Sequence, residues 1–274
     1  MIPSPFDYER VTSLDQALTA LAGGGEEAKL LAGGHSLLPL MKLRFASPSL
    51  LVDIGPVREL SYVRDGGDHV AVGALTRHHD LSRHALAKAE VPLLAHVAGQ
   101  VGDPQVRHRG TIGGSLAHGD PASDLPAACL ALQATFVLSS RAGRREVSAR
   151  SFFRGFLETE LAVDEILTEI RFSKVAGCPW SFQKLAQRAQ DWAIVGVAAV
   201  RNGQTRLGLV NMGSTPLAAT AVESALDGGA SAREAAAHAA DGLEPPSDVR
   251  ASGEYRAHAA TVLVRRALEE VGAG

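Results

Sequence analysis

Two pairs of adjacent glycines constrain this chain more than any other feature of its sequence. The first pair lies in the segment 32–36 (Ala-Gly-Gly-His-Ser) and the second in the segment 111–115 (Thr-Ile-Gly-Gly-Ser). Because glycine has no Cβ, such a pair permits positive φ angles and lets a ligand approach the backbone closely. Successive amide groups in a turn or at a helix N-terminus bind anions. Together the two segments predict a site for the two halves of one pyrophosphate, although a single Gly-Gly pair more often marks an ordinary tight turn.

The surroundings of the glycines exclude the best-known nucleotide motifs. Neither segment contains the GxGxxG spacing of a Rossmann fold, and neither contains the Gly-Lys-Ser/Thr of a phosphate-binding P-loop. The hydroxyl groups of Ser36, Thr111 and Ser115 add hydrogen-bond donors to the backbone amides. We therefore expect the phosphates to be held by main-chain and hydroxyl groups, with no lysine required.

The residue counts exclude several classes of function. Lys and Arg number 27 and Asp and Glu number 30, so the net charge is −3 and the basic excess of a nucleic-acid-binding protein is missing. The two cysteines, Cys129 and Cys178, are too few for an iron–sulfur cluster or a Cys-rich zinc site. The N-terminal segment does not resemble a signal peptide, and no apolar run is long enough to cross a membrane. We expect a cytoplasmic protein without a metal centre of its own.

The hydrophobic pattern mixes helices and strands along the chain and predicts an α+β fold. Capping boxes at Ser13 and Gln16 and at Ser231 and Glu234 mark two helix starts, and Asn202-Gly203 marks a tight hairpin. Further helices are predicted over residues 36–42, 76–84, 92–101, 124–132 and about 254–271. Strands are predicted over residues 28–32, 50–54, 60–64, 69–72, 135–138, 145–147, 165–172, 181–187, 194–200 and 207–210.

At the two glycine segments the chain resembles a known family. Residues 32–44 (AGGHSLLPLMKLR) and 111–127 (TIGGSLAHGDPASDLPA) are similar to the two FAD signatures of the medium subunits of molybdenum hydroxylases, the family of xanthine dehydrogenase and aerobic carbon monoxide dehydrogenase. The resemblance extends to residues 3–18 and 182–200 and so covers essentially the whole chain. It implies a vanillyl-alcohol-oxidase-type (PCMH-type) FAD-binding domain over residues 1–176, with two α/β subdomains of about 1–56 and 57–176. A smaller C-terminal domain of antiparallel sheet and helices is then expected over residues 177–274.

The same resemblance implies a non-covalent FAD site. Asp124 matches the residue that bonds the sugar-alcohol chain of the flavin, and Lys184 matches a basic residue near the ring system. Ile166 is expected to pack against the ring, and Trp192 to cover one face of it, where relatives often have Tyr. The implied cofactor-binding residues are Ala32, Gly33, Gly34, His35, Ser36, Leu37, Thr111, Ile112, Gly113, Gly114, Ser115, Ala117, Asp120, Asp124, Ile166, Lys184 and Trp192.

The residues by themselves leave other roles open for three of these positions. Asp124 also fits the N-cap of the helix predicted after it. Lys184 also fits an exposed lysine on a strand, and Trp192 also fits an ordinary core tryptophan. Among the ten histidines, none has metal-ligand spacing; His78 and His79 are expected to point to opposite sides of a helix, and His118 is expected in a solvated loop. No nucleophile has an evident base, so no catalytic residue is predicted.

The resemblance implies an FAD-dependent oxidoreductase subunit that is active as part of a complex. It would carry electrons from [2Fe–2S] clusters on a small partner subunit, through the flavin, to an external acceptor such as a quinone, NAD or oxygen. Molybdopterin would lie on a large partner subunit, and the assembly is commonly a heterohexamer. Two alternatives stay open: a stand-alone flavin oxidoreductase of the same fold, and a non-redox scaffold subunit. The substrate of the complex, carbon monoxide or another molecule, is not readable from this chain.

Overall fold

The computed structural model describes residues 2–273, and in this range runs of helices follow runs of strands along the chain, which confirms the α+β class. The strands are β1 (Asp7–Arg10), β2 (Ala28–Leu31), β3 (Leu50–Asp53), β4 (Val63–Asp65), β5 (His69–Gly73), β6 (Thr135–Ser140), β7 (Gly143–Ser148), β8 (Phe153–Gly155), β9 (Glu158–Thr159), β10 (Ile166–Ser173), β11 (Trp180–Leu185), β12 (Val195–Asn202), β13 (Gln204–Val210) and β14 (Leu217–Ala218). The helices are α1 (Leu14–Gly24), α2 (Leu37–Leu43), α3 (His78–Arg83), α4 (Ala85–Glu90), α5 (Pro92–Gln100), α6 (Pro104–Arg109), α7 (Ile112–His118), α8 (Asp124–Ala131), α9 (Ala149–Phe152), α10 (Thr220–Asp227), α11 (Ala232–Ala236) and α12 (Gly253–Glu270).

The first sheet is small and parallel, with the strand order β1-β3-β2. α1 packs on it through buried residues that include Leu18 and Leu21. Ser13 caps α1 by accepting a hydrogen bond from the amide of Gln16, but the Gln16 side chain accepts from the amide of Thr12, so the predicted capping box is only half formed. The sequence pattern does not predict β1, because all four of its residues are exposed and no apolar alternation marks it.

The second sheet is antiparallel and has the order β4-β5-β10-β6-β7. Both hairpins predicted in this region are present, as β4–β5 and β6–β7. β10 lies between them and joins the two hairpins into one sheet. The core on this sheet includes Phe136 and Phe152, whose rings meet edge to face at 4.7 Å between centroids. This core continues into α8, and it thereby fixes the helix whose first residue is Asp124.

The third sheet is antiparallel, with the order β11-β12-β13-β14, and the predicted hairpin at Asn202-Gly203 joins its two central strands. One face of the sheet carries a core shared with α10, α11 and α12. The other face packs on α8, and a Cβ at Gly208 would collide with the backbone carbonyl of Ala127 in that helix. α8 is buried along its whole length because the third sheet and the helices α5 and α7 pack against it.

The helix starts predicted near Thr76, Ser36 and Ser231 differ in how the structure caps them. Thr76 does not cap α3, because its hydroxyl donates to the carbonyl of Tyr62 and accepts from the Tyr62 amide; Arg77 occupies the N-cap position instead. Ser36 precedes α2, but its side chain makes no capping hydrogen bond. The capping box at Ser231 is complete, yet α11 ends at Ala236 and the chain continues in short turns.

Candidate functional site

A cavity of about 680 Å³ brings together the two glycine segments. All the implied cofactor-binding residues line it except Ile112 and Asp120. A Cβ built on Gly114 would lie 4.0 Å from the Cβ of Ala32, so the second segment faces the first across a narrow gap. The convergence expected from sequence is therefore present, although about 80 residues separate the two pairs.

The first glycine segment has free backbone donors. Gly34 adopts a left-handed φ of 78°, and a Cβ at Gly33 would lie 2.9 Å from the Cα of Gly110, so both positions require glycine. Within residues 2–273, the amides of residues 33–36 donate to no other protein group. Residues 33–36 are half-buried or exposed, and four adjacent amides without a protein partner at the wall of a cavity are suited to an anionic ligand.

The second glycine segment is a helix start, which corrects the prediction of a second loop with free amides. Thr111 caps α7 by accepting from the amide of Gly114, 3.1 Å away. The amide of Ile112 donates to Thr76 and that of Gly113 to Ala74, so these donors are used inside the protein. The only local signal for this helix in the sequence is the N-cap threonine, because the two glycines that follow in its first turn are poor helix formers.

The two glycines of this second pair have different surroundings. A Cβ at Gly113 would lie 2.5 Å from the Cβ of Ala74 and 2.7 Å from its carbonyl oxygen, so the absence of a side chain there permits close packing. Gly114 is exposed to the cavity. Ile112 is fully buried in the core and does not line the cavity.

A buried ion pair lies at one wall of the cavity. The ammonium group of Lys184 is 2.6 Å from Oδ2 of Asp124, and both side chains are largely buried. Desolvation raises the pKa of Asp124, and the positive charge of Lys184 opposes that shift. Oδ1 of Asp124 is buried and has no hydrogen-bond donor. The exposed-lysine alternative is therefore wrong for Lys184, and the N-cap position of α8 belongs to Ser123 rather than to Asp124.

Apolar groups also line the cavity. Ile166 is buried at the start of β10, and Trp192 lies on the segment between β11 and β12 with 51% of its surface exposed. Trp192 is thus not a core residue, and its indole is free to cover a ligand. Asp120 lies outside the main cavity and lines a smaller one of about 480 Å³, which also has Trp192 in its wall.

Sequence reasoning missed the role of two histidines in this wall. His78 is buried and lines the cavity, whereas His79 stacks on His108, so the expectation that the adjacent pair points apart is confirmed. Burial lowers the pKa of His78 to about 4 and that of His118 to a smaller extent. His118 ends α7 and lines the cavity, which corrects its expected place in a solvated loop. No spacing signal in the sequence distinguishes these two histidines from the other eight.

The geometry supports binding of an elongated ligand with three different parts. The free amides of residues 33–36 suit an anionic group, and the unpaired Oδ1 of Asp124 suits a hydroxyl donor. The half-exposed Trp192 and buried Ile166 suit a planar apolar group. Across residues 2–273, no cluster of three or more His, Cys, Asp or Glu side chains is placed to hold a metal ion. In the same range, no helix combines the length and apolar character needed to cross a bilayer.

Comparison with protein families gives two matches that together span nearly the whole chain. Residues 4–174 match the family described as the FAD binding domain in molybdopterin dehydrogenase. Residues 180–271 match the CO dehydrogenase flavoprotein C-terminal domain.

Similar proteins share this organisation along their full length. The carbon monoxide dehydrogenase medium chain of Hydrogenophaga pseudoflava is 43% identical over 279 residues, which cover 98% of this chain and 97% of that protein. The glyceraldehyde dehydrogenase medium chain of Sulfolobus acidocaldarius is 37% identical and covers 99% of this chain and 100% of its own length. A solved structure of the Hydrogenophaga pseudoflava carbon monoxide dehydrogenase that lacks the Mo-pyranopterin moiety superimposes with a TM-score of 0.95 over 99% of both chains, at 43% identity.

Proposed function

The chain belongs to the family of FAD-binding subunits of molybdenum hydroxylases, and on this basis we propose that it carries electrons from an iron–sulfur partner chain, through bound FAD, to an external acceptor. It is an oxidoreductase subunit that resembles carbon monoxide dehydrogenase medium chains over its whole length. The observation that carries the proposal is the single cavity shared by the two glycine segments and the Asp124–Lys184 pair.

The residues in the cavity fit FAD. The free amides of residues 33–36 would hold the diphosphate, because oriented backbone donors bind phosphate without a compensating lysine. Oδ1 of Asp124 would accept a hydrogen bond from a hydroxyl of the sugar-alcohol chain, which would satisfy a buried oxygen that has no donor. Gly114 leaves open the space beside Ala32 through which the cofactor would pass.

Three side chains would surround the ring system. Ile166 and Trp192 provide apolar surface on the cavity wall, and the exposed indole can cover one face of a planar group. Lys184 places a positive charge on the wall of the same cavity, and Asp124 holds that charge in position through the ion pair. When bound, FAD supplies the capacity to take up and release electrons. A cation next to the flavin edge would stabilise negative charge that arises there on reduction.

The rest of the electron path is assigned to other chains. With only Cys129, which is buried, and Cys178, this chain cannot supply the four thiolates of a [2Fe–2S] cluster. We place the clusters on a small partner subunit and molybdopterin on a large one, in a heterohexamer. A quinone, NAD or oxygen would act as the acceptor. Relatives named for carbon monoxide and for glyceraldehyde share this subunit, which supports a substrate choice made on the large subunit.

Two measurements test the proposal. The purified chain is titrated with FAD and followed by flavin fluorescence, and the native complex is isolated and analysed for partner chains, iron and molybdenum. We expect FAD to bind in a ratio of one per chain and the isolated complex to contain both partners. A chain that takes up no FAD would favour the scaffold alternative. A chain that binds FAD but turns over a substrate alone, without partners, would favour the stand-alone oxidoreductase.

A further inference from the structure

The segment that carries Trp192 is closed at its base by backbone hydrogen bonding. The amide of Ile194 donates to the carbonyl of Leu185 at 2.7 Å, so residues 186–193 form a loop between β11 and β12. The buried guanidinium of Arg256 donates to the carbonyl of Ile194 and so fixes the end of this loop a second time. Trp192 lies two residues before Ile194, and Ala193 lies between them. The position of Trp192 therefore depends on the contacts that fix Ala193.

Asn211 is the residue that holds Ala193. Its side-chain amide Nδ2 donates to the Ala193 carbonyl at 3.0 Å. Its backbone amide donates to the carbonyl of Pro121 at 2.8 Å, in the segment that links α7 to α8. Asn211 therefore connects the Trp192 segment directly to the segment between the second glycine pair and Asp124.

The backbone conformation of residue 211 and the hydrogen bond of its side chain together explain why this residue is an asparagine. It adopts a left-handed φ of 62°, a conformation that Asn tolerates far better than most side chains. The Ala193 carbonyl requires a donor, which aspartate at neutral pH cannot supply and glycine lacks altogether. Asn211 also lines the smaller cavity behind Trp192, together with Asp120. Its position thus combines an unusual backbone conformation with a single directed hydrogen bond.

We propose that Asn211 is a positioning residue that fixes Trp192 at the mouth of the FAD cavity through Ala193. The inference rests on the proposed function for the part that concerns FAD. The link between Asn211 and Trp192 is a property of this chain by itself. Loss of the Nδ2 hydrogen bond would free the Ala193 carbonyl and let the indole move away from the cavity.

The test uses Asn211→Gly, which removes the amide but accepts the left-handed φ and keeps the backbone bond to Pro121. The matched control is Asn202→Gly, the same change at the only other asparagine, at the exposed far end of the β12–β13 hairpin. Both variants are made in a Trp180→Phe background, in which Trp192 is the only tryptophan. Acrylamide quenching of Trp192 in the FAD-free protein, the Kd for FAD and the flavin reduction potential are then measured.

We expect Asn211→Gly to make Trp192 more accessible to acrylamide, to shift the flavin potential and to weaken FAD binding by about 2- to 10-fold, the effect of one lost hydrogen bond. Asn202→Gly should leave all three values unchanged. Asn211→Asp, which preserves the shape and loses the donor, is the second variant and should act in the same direction. Acrylamide quenching and FAD affinity at the parent values in folded Asn211→Gly or Asn211→Asp would overturn the proposal. A parent protein that binds no FAD would instead overturn the proposed function, and quenching of the FAD-free protein would still decide whether Asn211 holds Trp192.

Discussion

An added side chain should affect different properties of the protein at the adjacent glycines 113 and 114. Gly113 packs against the backbone of Ala74, where a Cβ would lie 2.7 Å from the carbonyl oxygen. Gly114 faces the cavity, and a Cβ there would meet only the hydroxyl of Thr111 at 2.8 Å and the Cβ of Ala32 at 4.0 Å. Substitution at Gly113 should therefore damage the fold, and substitution at Gly114 should damage cofactor binding.

The magnitudes follow from these contacts. Gly113→Ala forces backbone apart in a packed region, which costs about 2–3 kcal/mol, and the gain in helix propensity of about 1 kcal/mol offsets only part of it. Gly114→Val displaces the capping hydroxyl of Thr111, a loss of about 1 kcal/mol, and directs its two methyl groups into the cavity. If these methyl groups overlap with bound FAD at a cost of about 1–3 kcal/mol, the Kd for FAD should be about 5- to 150-fold higher.

The two variants are compared by urea unfolding of the FAD-free proteins and by titration with FAD. We expect Gly113→Ala to lower the free energy of unfolding, and Gly114→Val to stay within about 1 kcal/mol of the parent while it binds FAD about 5- to 150-fold more weakly. Gly114→Ala, with the smaller side chain, should show an intermediate affinity. If Gly114→Val folds and binds FAD as tightly as the parent, the diphosphate does not pass this point and the assignment of the cavity is refuted.

Three further predictions concern the wall of the cavity. Because the pKa of His78 is lowered to about 4 from 6.5, the unfolded chain binds its proton first, so stability should be complete above about pH 6.5 and fall by about 3 kcal/mol as the pH drops toward 4. Urea unfolding at several pH values should show this slope in the parent and a flatter one in His78→Phe; equal slopes would remove His78 as its cause. Asp124→Ala should lower the free energy of unfolding of the FAD-free protein by about 3–5 kcal/mol, because it leaves the Lys184 ammonium buried without a partner. Adding Lys184→Met should recover most of this loss, and simple additivity of the two changes would contradict a coupled pair. Trp192→Ala should shift the flavin potential or weaken FAD binding and leave the stability of the FAD-free protein within about 0.5 kcal/mol, as expected for an exposed side chain; an unchanged potential and affinity would exclude Trp192 from the site.

Local sequence signals predicted the elements that carry them. The cap at Ser13, the capping box at Ser231 and the hairpin at Asn202-Gly203 are all present, because a cap or a tight turn depends on residues only a few positions apart. The exposed strand β1 has no such signal, since it is held by backbone pairing with β3 and by a hydrogen bond from the Tyr8 hydroxyl to the Asp53 carboxylate, and both partners are distant in sequence. The family signatures supplied what local pattern could not, namely which distant segments share one cavity.

The sequence by itself determined that a ligand or another stretch of backbone approaches the two glycine pairs closely. It also determined that the chain has too few cysteines for an iron–sulfur cluster. Tertiary structure decided which of these roles each glycine has: the amides of residues 33–36 stay free, whereas those at Ile112 and Gly113 are used by the carbonyls of Thr76 and Ala74. It also decided that Lys184 is buried against Asp124, 60 residues away in sequence. The reason is physical: the availability of a donor or a charge depends on which partner packs beside it, and these partners come from distant parts of the chain.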